Sequence, residues 1–151
     1  MASETRRGRS RWSRRPVMTA AALILITGAQ FVPVERTNPP VTSGPMLGPA
    51  LGDILRSACY DCHSNETRWP WYSRVAPVSW LLADHVKEGR RHLNFSNWPT
   101  MDFELQDQLL REIGEEVSEG HMPPLSYRLI HGEARLDPAQ KQRLLAWAKG
   151  E

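Results

Sequence analysis

Five consecutive residues, CYDCH from Cys59 to His63, constrain this chain more than any other part of its sequence. Two thiols three positions apart can each add to one vinyl group of a haem, and the imidazole that follows them can reach the iron from the same side. The motif therefore predicts a covalently attached c-type haem. Cys59 and Cys62 would form the thioether bonds, and His63 would be the proximal iron ligand.

Cysteine pairs at this spacing also occur in zinc sites and in thioredoxin-like redox pairs. A zinc site needs two further ligands, but Cys59 and Cys62 are the only cysteines. The other histidines form no H-x3-5-H pair; they are His85, His92, His121 and His131. A redox pair should follow a β-strand, whereas residues 52–58 have a helical pattern. Both alternatives stay open behind haem attachment.

The N-terminal part of the chain has the layout of an export segment. Residues 1–15 contain six arginines, and residues 17–32 (VMTAAALILITGAQFV) carry no charge. Because a hydrocarbon core needs about 20 residues and small residues occur near position 28, residues 16–33 are predicted as a transmembrane anchor or a cleaved signal peptide. The positive-inside rule leaves residues 1–15 in the cytoplasm and sends the rest to the periplasmic side of the bacterial cytoplasmic membrane.

The net charge of +2 comes from that basic segment. Without residues 1–15, the 19 basic and 17 acidic residues fall to 13 and 16, a net charge of −3. A mildly acidic body gives no support to nucleic-acid binding. Residues 34–49 contain four prolines and are predicted to be an extended linker that holds the domain off the membrane. The haem-binding domain is then expected at residues 50–151.

The domain sequence predicts helices and no strands. They are expected at residues 50–58, 78–88 and 102–119, and from residue 138 towards the C-terminus. Gly89 is expected to close the second of these helices and Gly120 the third, while Asp137 caps the last. The last helix can pack across the short helix before Cys59.

Several further side chains are candidates for the surroundings of the haem. The aromatic residues Trp69, Trp71 and Tyr72 are expected to form a wall over the porphyrin. Met122, on a loop stiffened by Pro123, is the expected sixth iron ligand, because His/Met ligation is the solution used by cytochromes c. His85, on one face of the second helix, is the alternative. Two further histidines, His121 and His131, and an open iron face are the remaining options.

The run from Cys59 to Trp98, with Glu119 to Pro123 and Tyr127 to His131, resembles the bacterial haem-binding domain family of small exported c-type haem proteins. The resemblance extends from about residue 50 to the C-terminus. Its aromatic and LNFS-like segments differ from those of ordinary class I cytochromes c. The resemblance implies one covalent haem bound through the CYDCH motif, in a mostly helical domain similar to cytochrome c.

These observations predict an all-α, cytochrome c-like domain around one haem c, preceded by an N-terminal signal or anchor helix. The expected function is one-electron transfer at the outer face of the cytoplasmic membrane, with a redox protein or membrane oxidoreductase as partner. The chain is not expected to be an enzyme, because it offers no convincing set of catalytic acids and bases. The alternative is a haem-based small-ligand sensor or peroxidase-like protein, with His85 or Arg74 lining an open distal site.

Overall fold

The computed structural model describes residues 14–151, and this part of the chain is built from helices without β-strands. The α-helices are α1 (Arg14–Ala29), α2 (Pro49–Ala58), α3 (Tyr60–His63), α4 (Val78–His92), α5 (Phe103–Glu119), α6 (Leu125–Ile130) and α7 (Pro138–Ala148). Short 3-10 helices lie at Trp71–Arg74, Phe95–Thr100 and Gly132–Ala134. The predicted all-helical fold is confirmed.

Helix α1 contains most of the uncharged N-terminal segment, and its apolar side chains are exposed. Within residues 14–151, no helix combines the length and the apolar character needed to cross a membrane. The predicted basic segment, residues 1–15, lies almost entirely outside the described residues.

Local capping signals mark the start of helices α5 and α7 and the end of α5. Asp102 accepts a hydrogen bond from the N–H of Leu105 at 2.8 Å at the start of α5, and Gly120 ends that helix with φ of 80°. At the start of α7, Asp137 and Gln140 form a reciprocal capping box. Helix α5 begins and ends, and helix α7 begins, where their sequence signals predict.

The core lies where α2, α5 and α7 pack together. A column of rings runs through it, with centroids 5.3 Å apart for Tyr60 and Phe95, 5.9 Å for Phe95 and Trp98, and 6.0 Å for Trp98 and Trp147. Leu144 of α7 is fully buried, which contributes roughly 1.5–3 kcal/mol. The predicted packing of the last helix against the helix before Cys59 is confirmed.

The proline-containing segment at residues 34–49 lies on the domain instead of extending away from it. The Arg36 guanidinium donates to the Ser73 carbonyl at 3.0 Å, and the Asn65 amide donates to the Pro40 carbonyl at 2.9 Å. The Arg90 guanidinium donates to the Thr37 carbonyl at 2.8 Å. Two backbone carbonyls of the segment, those of Thr37 and Pro40, accept hydrogen bonds from side chains of the domain.

Candidate functional site

The CYDCH motif lies where helix α2 passes into the single turn α3. The Cys59 carbonyl accepts hydrogen bonds from the N–H groups of Cys62 (3.2 Å) and His63 (2.9 Å). This turn places the three side chains on the wall of one cavity. Both cysteines are free thiols, and burial raises the pKa of Cys59 to about 12 and that of Cys62 to about 11. The thiols are therefore uncharged at neutral pH.

The imidazole of His63 is held by two backbone carbonyls of the α4 region. Its Nδ1 lies 3.0 Å from the Gly89 carbonyl oxygen and 3.2 Å from that of Leu93. Because carbonyls only accept, Nδ1 carries the proton and Nε2 keeps its lone pair. Burial lowers the pKa of His63 below its usual value, which also favours the neutral ring. A neutral imidazole oriented through Nδ1 is the form that binds a metal.

Gly89 makes the close contact between α4 and the motif. A Cβ at residue 89 would lie 2.6 Å from the Cys62 carbonyl oxygen and 3.2 Å from Cys62 Cβ. The prediction that Gly89 closes its helix is wrong, since α4 continues to His92. Glycine inside a helix costs about 1 kcal/mol relative to alanine. Here its missing side chain lets the helix backbone approach Cys62 and lets His63 reach two carbonyls.

The cavity beside the motif has a volume of about 620 Å³, within the roughly 300–1,000 Å³ typical of ligand sites. Its apolar wall includes Phe95, Leu109, Ile113 and Val117. The residues present fit a haem, because they combine an apolar wall with two thiols and an imidazole whose Nε2 is unprotonated. Among the described residues, no group of three or more His, Cys, Asp or Glu side chains is placed to hold a metal ion.

Both candidates for the sixth ligand line this cavity. Met122 lies on the loop after α5, where its N–H donates to the Glu116 carbonyl at 3.1 Å, and His85 lies on α4. The cavity lining does not include His121, whose Nδ1 lies 3.3 Å from a carboxylate oxygen of Glu119. It does not include His131 either.

The aromatic residues expected as a haem wall lie elsewhere. The described cavity lining does not include Trp69, Trp71 or Tyr72. Trp71 is 78% exposed, and the Tyr72 hydroxyl lies 2.6 Å from Nε2 of His131. The described cavity wall instead includes Phe95 and the α5 side chains that repeat every four residues, Leu109, Ile113 and Val117.

Sequence reasoning missed the contacts of Asp61, the residue between the two cysteines. Its buried carboxylate accepts the Arg68 backbone N–H at 3.0 Å, the Arg68 guanidinium at 3.1 and 3.2 Å, and the Tyr127 hydroxyl at 2.6 Å. Burial, and then the bond to Asp61, raise the pKa of Tyr127. This bond ties helix α6, which follows the Met122 loop, to the motif. No sequence signal indicates the pair, since the motif leaves position 61 open.

The rim of the cavity is acidic. Glu88 of α4 and three glutamates of α5 contribute to the lining; the latter are Glu112, Glu115 and Glu116. The described lining includes no lysine and no arginine. The histidines on this wall are therefore the only side chains there that can become cationic.

The model of a family described as a haem-binding domain covers residues 24–150. No curated protein and no solved structure matches the chain.

Proposed function

Because the chain belongs to the haem-binding domain family, we propose that its cavity holds one haem c and that the protein is a one-electron carrier. Cys59 and Cys62 would each form a thioether bond, and Nε2 of His63 would bind the iron. When bound, the haem supplies an iron that cycles between the ferrous and ferric states. The domain would then be cytochrome c-like in its use of a helical shell around one covalent haem.

The arrangement of His63 is the observation that supports this proposal most directly. The Gly89 and Leu93 carbonyls hold the Nδ1 proton and set the plane of the ring. Such bonds orient a ligand histidine and raise its basicity. With Nδ1 held in this way, Nε2 is the ring nitrogen that remains available to bind iron.

The acidic rim supports covalent attachment over simple pocket binding. Haem carries two propionates, which gain no ion pair with lysine or arginine from the described lining. A pocket that held haem through ion pairs with the propionates would have lysine or arginine side chains in its lining. Attachment through the two thiols holds the group without such pairs.

The function as a carrier depends on a sixth ligand, which keeps substrates away from the iron. Met122 is the proposed ligand, and His85 is the alternative. The bond between Tyr127 and Asp61 supports Met122, because it fixes the helix that follows this loop. The proposed location is the periplasmic side of the cytoplasmic membrane, with residues 16–33 as anchor or signal and a redox protein or membrane oxidoreductase as partner.

The test is the absorption spectrum of the protein coexpressed with cytochrome maturation factors, in both oxidation states, before and after carbon monoxide. A low-spin c-type spectrum that carbon monoxide leaves unchanged supports the carrier. A colourless protein refutes haem attachment.

A second function is favoured by the exposure of the sixth-ligand candidates. Met122 is 37% exposed and His85 is also exposed, so neither is locked inside the core. An iron with an open face would make the protein a small-ligand sensor or give it peroxidase-like activity. A high-spin spectrum that shifts with carbon monoxide supports this function over the carrier.

A further inference from the structure

Four aromatic rings lie in sequence between the cavity wall and the protein surface. Tyr127 lines the cavity and stacks on His131, with centroids 4.3 Å apart and planes inclined by 18°. The His131 ring lies 6.3 Å from that of Tyr72, which meets Trp71 edge-on at 5.8 Å. Trp71 is 78% exposed, so this aromatic path of four rings ends in solvent.

The middle of the aromatic path contains a phenol with a base beside it. Nδ1 of His131 lies 3.2 Å from Oε1 of Glu133, and because a carboxylate only accepts, Nδ1 carries the ring proton. Nε2 is then the acceptor for the Tyr72 hydroxyl, which lies 2.6 Å from it. A donor, an imidazole and a carboxylate in this order are typical of groups that move a proton. Burial raises the pKa of Tyr72, so its hydroxyl keeps the proton at neutral pH.

This geometry favours oxidation of the phenol. Loss of one electron makes a phenol hydroxyl a strong acid, so oxidation becomes easier when a neighbouring base accepts the proton. The separation of 2.6 Å lies within the range for direct proton transfer. Packing does not account for Trp71 at the end of the path, because an indole that is 78% exposed contributes little apolar burial.

We propose that the aromatic path carries electrons singly between the surface and the cavity, with Tyr72 and His131 as its relay. An oxidant in the cavity takes one electron from Tyr72 through Tyr127. The Tyr72 O–H bond breaks, and its proton forms a new bond to Nε2 of His131. The products are a neutral phenoxyl radical, an imidazolium facing Glu133 and an oxidant reduced by one electron. An electron from a donor at Trp71, with the returning proton, restores the phenol.

The oxidant is hydrogen peroxide, which becomes two water molecules by accepting two electrons and two protons. The path supplies the electrons singly, and the protons come from solvent. The cavity end of this proposal rests on the second function above, a haem whose iron has an open face, which supplies peroxide chemistry when bound. The relay itself is a property of the polypeptide and can be tested without peroxide.

The first experiment oxidises the full-length protein, as purified in the ferric state, from solution. Photogenerated tris(bipyridine)ruthenium(III) removes one electron, and transient absorption and electron paramagnetic resonance identify the radical. A neutral tyrosyl radical is expected, and Tyr72→Phe should remove it. His131→Gln keeps a polar side chain at this position but removes the imidazole that accepts the proton. Radical formation should become about a hundredfold slower, which is the lower end of the rate effect of a positioned base.

Tyr60→Phe is the matched control, because Tyr60 stacks on Phe95 in the core and is not part of the aromatic path. It should leave the radical unchanged. Circular dichroism and the thermal midpoint of each variant show whether the fold is intact. An unchanged tyrosyl signal in folded Tyr72→Phe, or an unchanged rate in folded His131→Gln, would overturn the relay.

The second experiment adds hydrogen peroxide to the ferric protein. A tyrosyl signal should appear in the wild type. It should be smaller in Tyr127→Phe, because this change replaces the oxidisable phenol at the cavity with a phenyl ring. A signal of equal size in Tyr127→Phe would overturn the cavity end of the path. If the purified protein held no haem, the ruthenium experiment would still give the Tyr72 radical, so failure of the proposed function and failure of the relay are distinguishable.

Discussion

Gly89 and Cys62 are in backbone contact, so close that any side chain at residue 89 would overlap the Cys62 carbonyl oxygen. The same residue offers its own carbonyl to His63. One glycine therefore sets both the distance of α4 from the motif and the orientation of the imidazole.

Gly89→Ala should weaken this contact. The added methyl group forces α4 away from Cys62, so the free energy of unfolding should fall by about 1–3 kcal/mol, the usual cost of overpacking. Urea unfolding of the haem-free protein measures it. The control is Gly52→Ala in α2, where a Cβ meets open space and stability should rise by roughly 0.5–1 kcal/mol. Equal effects of the two changes would contradict the role assigned to Gly89.

Removal of either motif cysteine should lower the yield of haem-bearing protein. Cys62→Ala leaves one thioether bond, and Cys59→Ala leaves the other. Mass spectrometry of the denatured protein measures covalently retained haem. Ser118→Ala, an exposed change on α5, should leave it unaltered. Covalent haem bound in normal amount and at two positions in Cys62→Ala would mean that the motif has been misinterpreted.

Met122→Ala should convert the ferric iron from low to high spin, because the proposed thioether ligand is lost. Absorption in the ferric state and the appearance of carbon monoxide binding in the ferrous state measure the change. Met46→Ala is a suitable control, since Met46 is fully exposed and is not part of the cavity lining. If Met122→Ala keeps the low-spin spectrum while His85→Ala loses it, His85 is the ligand.

Tyr127→Phe should lower the free energy of unfolding by about 1.5–3 kcal/mol, because it removes a hydrogen bond to the buried carboxylate of Asp61. Thermal and urea unfolding measure the loss. We expect Tyr60→Phe to cost less, since that ring contributes mainly by stacking on Phe95. Comparable losses in the two variants would show that the Asp61 bond adds no stability.

Arg90→Met should destabilise the domain, while Arg91→Met should not. The Arg90 guanidinium donates to the Ser64 carbonyl at 2.7 Å and to Thr37 and Thr67 at 2.8 Å, so we expect a loss of at least about 2 kcal/mol. Within residues 14–151, Arg91 pairs with Glu88 at the surface, and the loss of this pair should stay within about 0.5 kcal/mol. Paired urea titrations of the two variants test this difference.

Local signals predicted much of the fold. Helix α5 ends and helix α7 begins as expected, because Gly120 and the Asp137 capping box act on their own neighbours in sequence. The motif placed Cys59 and His63 in one site for the same reason. The helix end expected at Gly89 was wrong, because the environment of this glycine depends on Cys62, which lies far away in sequence. From the sequence alone, a glycine that ends a helix cannot be distinguished from a glycine that lets another backbone segment approach closely.

The docked segment at residues 34–49 changes how far the cavity can lie from helix α1. A free linker of 16 residues would reach roughly 55 Å when fully extended. Contacts with the domain begin at Arg36, and even the Gln30 side chain bonds the Ala76 backbone N–H at 3.0 Å. The remaining residues 30–35 span roughly 20 Å at most. If α1 were the proposed membrane anchor, the haem would stay within a short distance of the bilayer. Electron exchange with a partner would then take place close to the membrane surface.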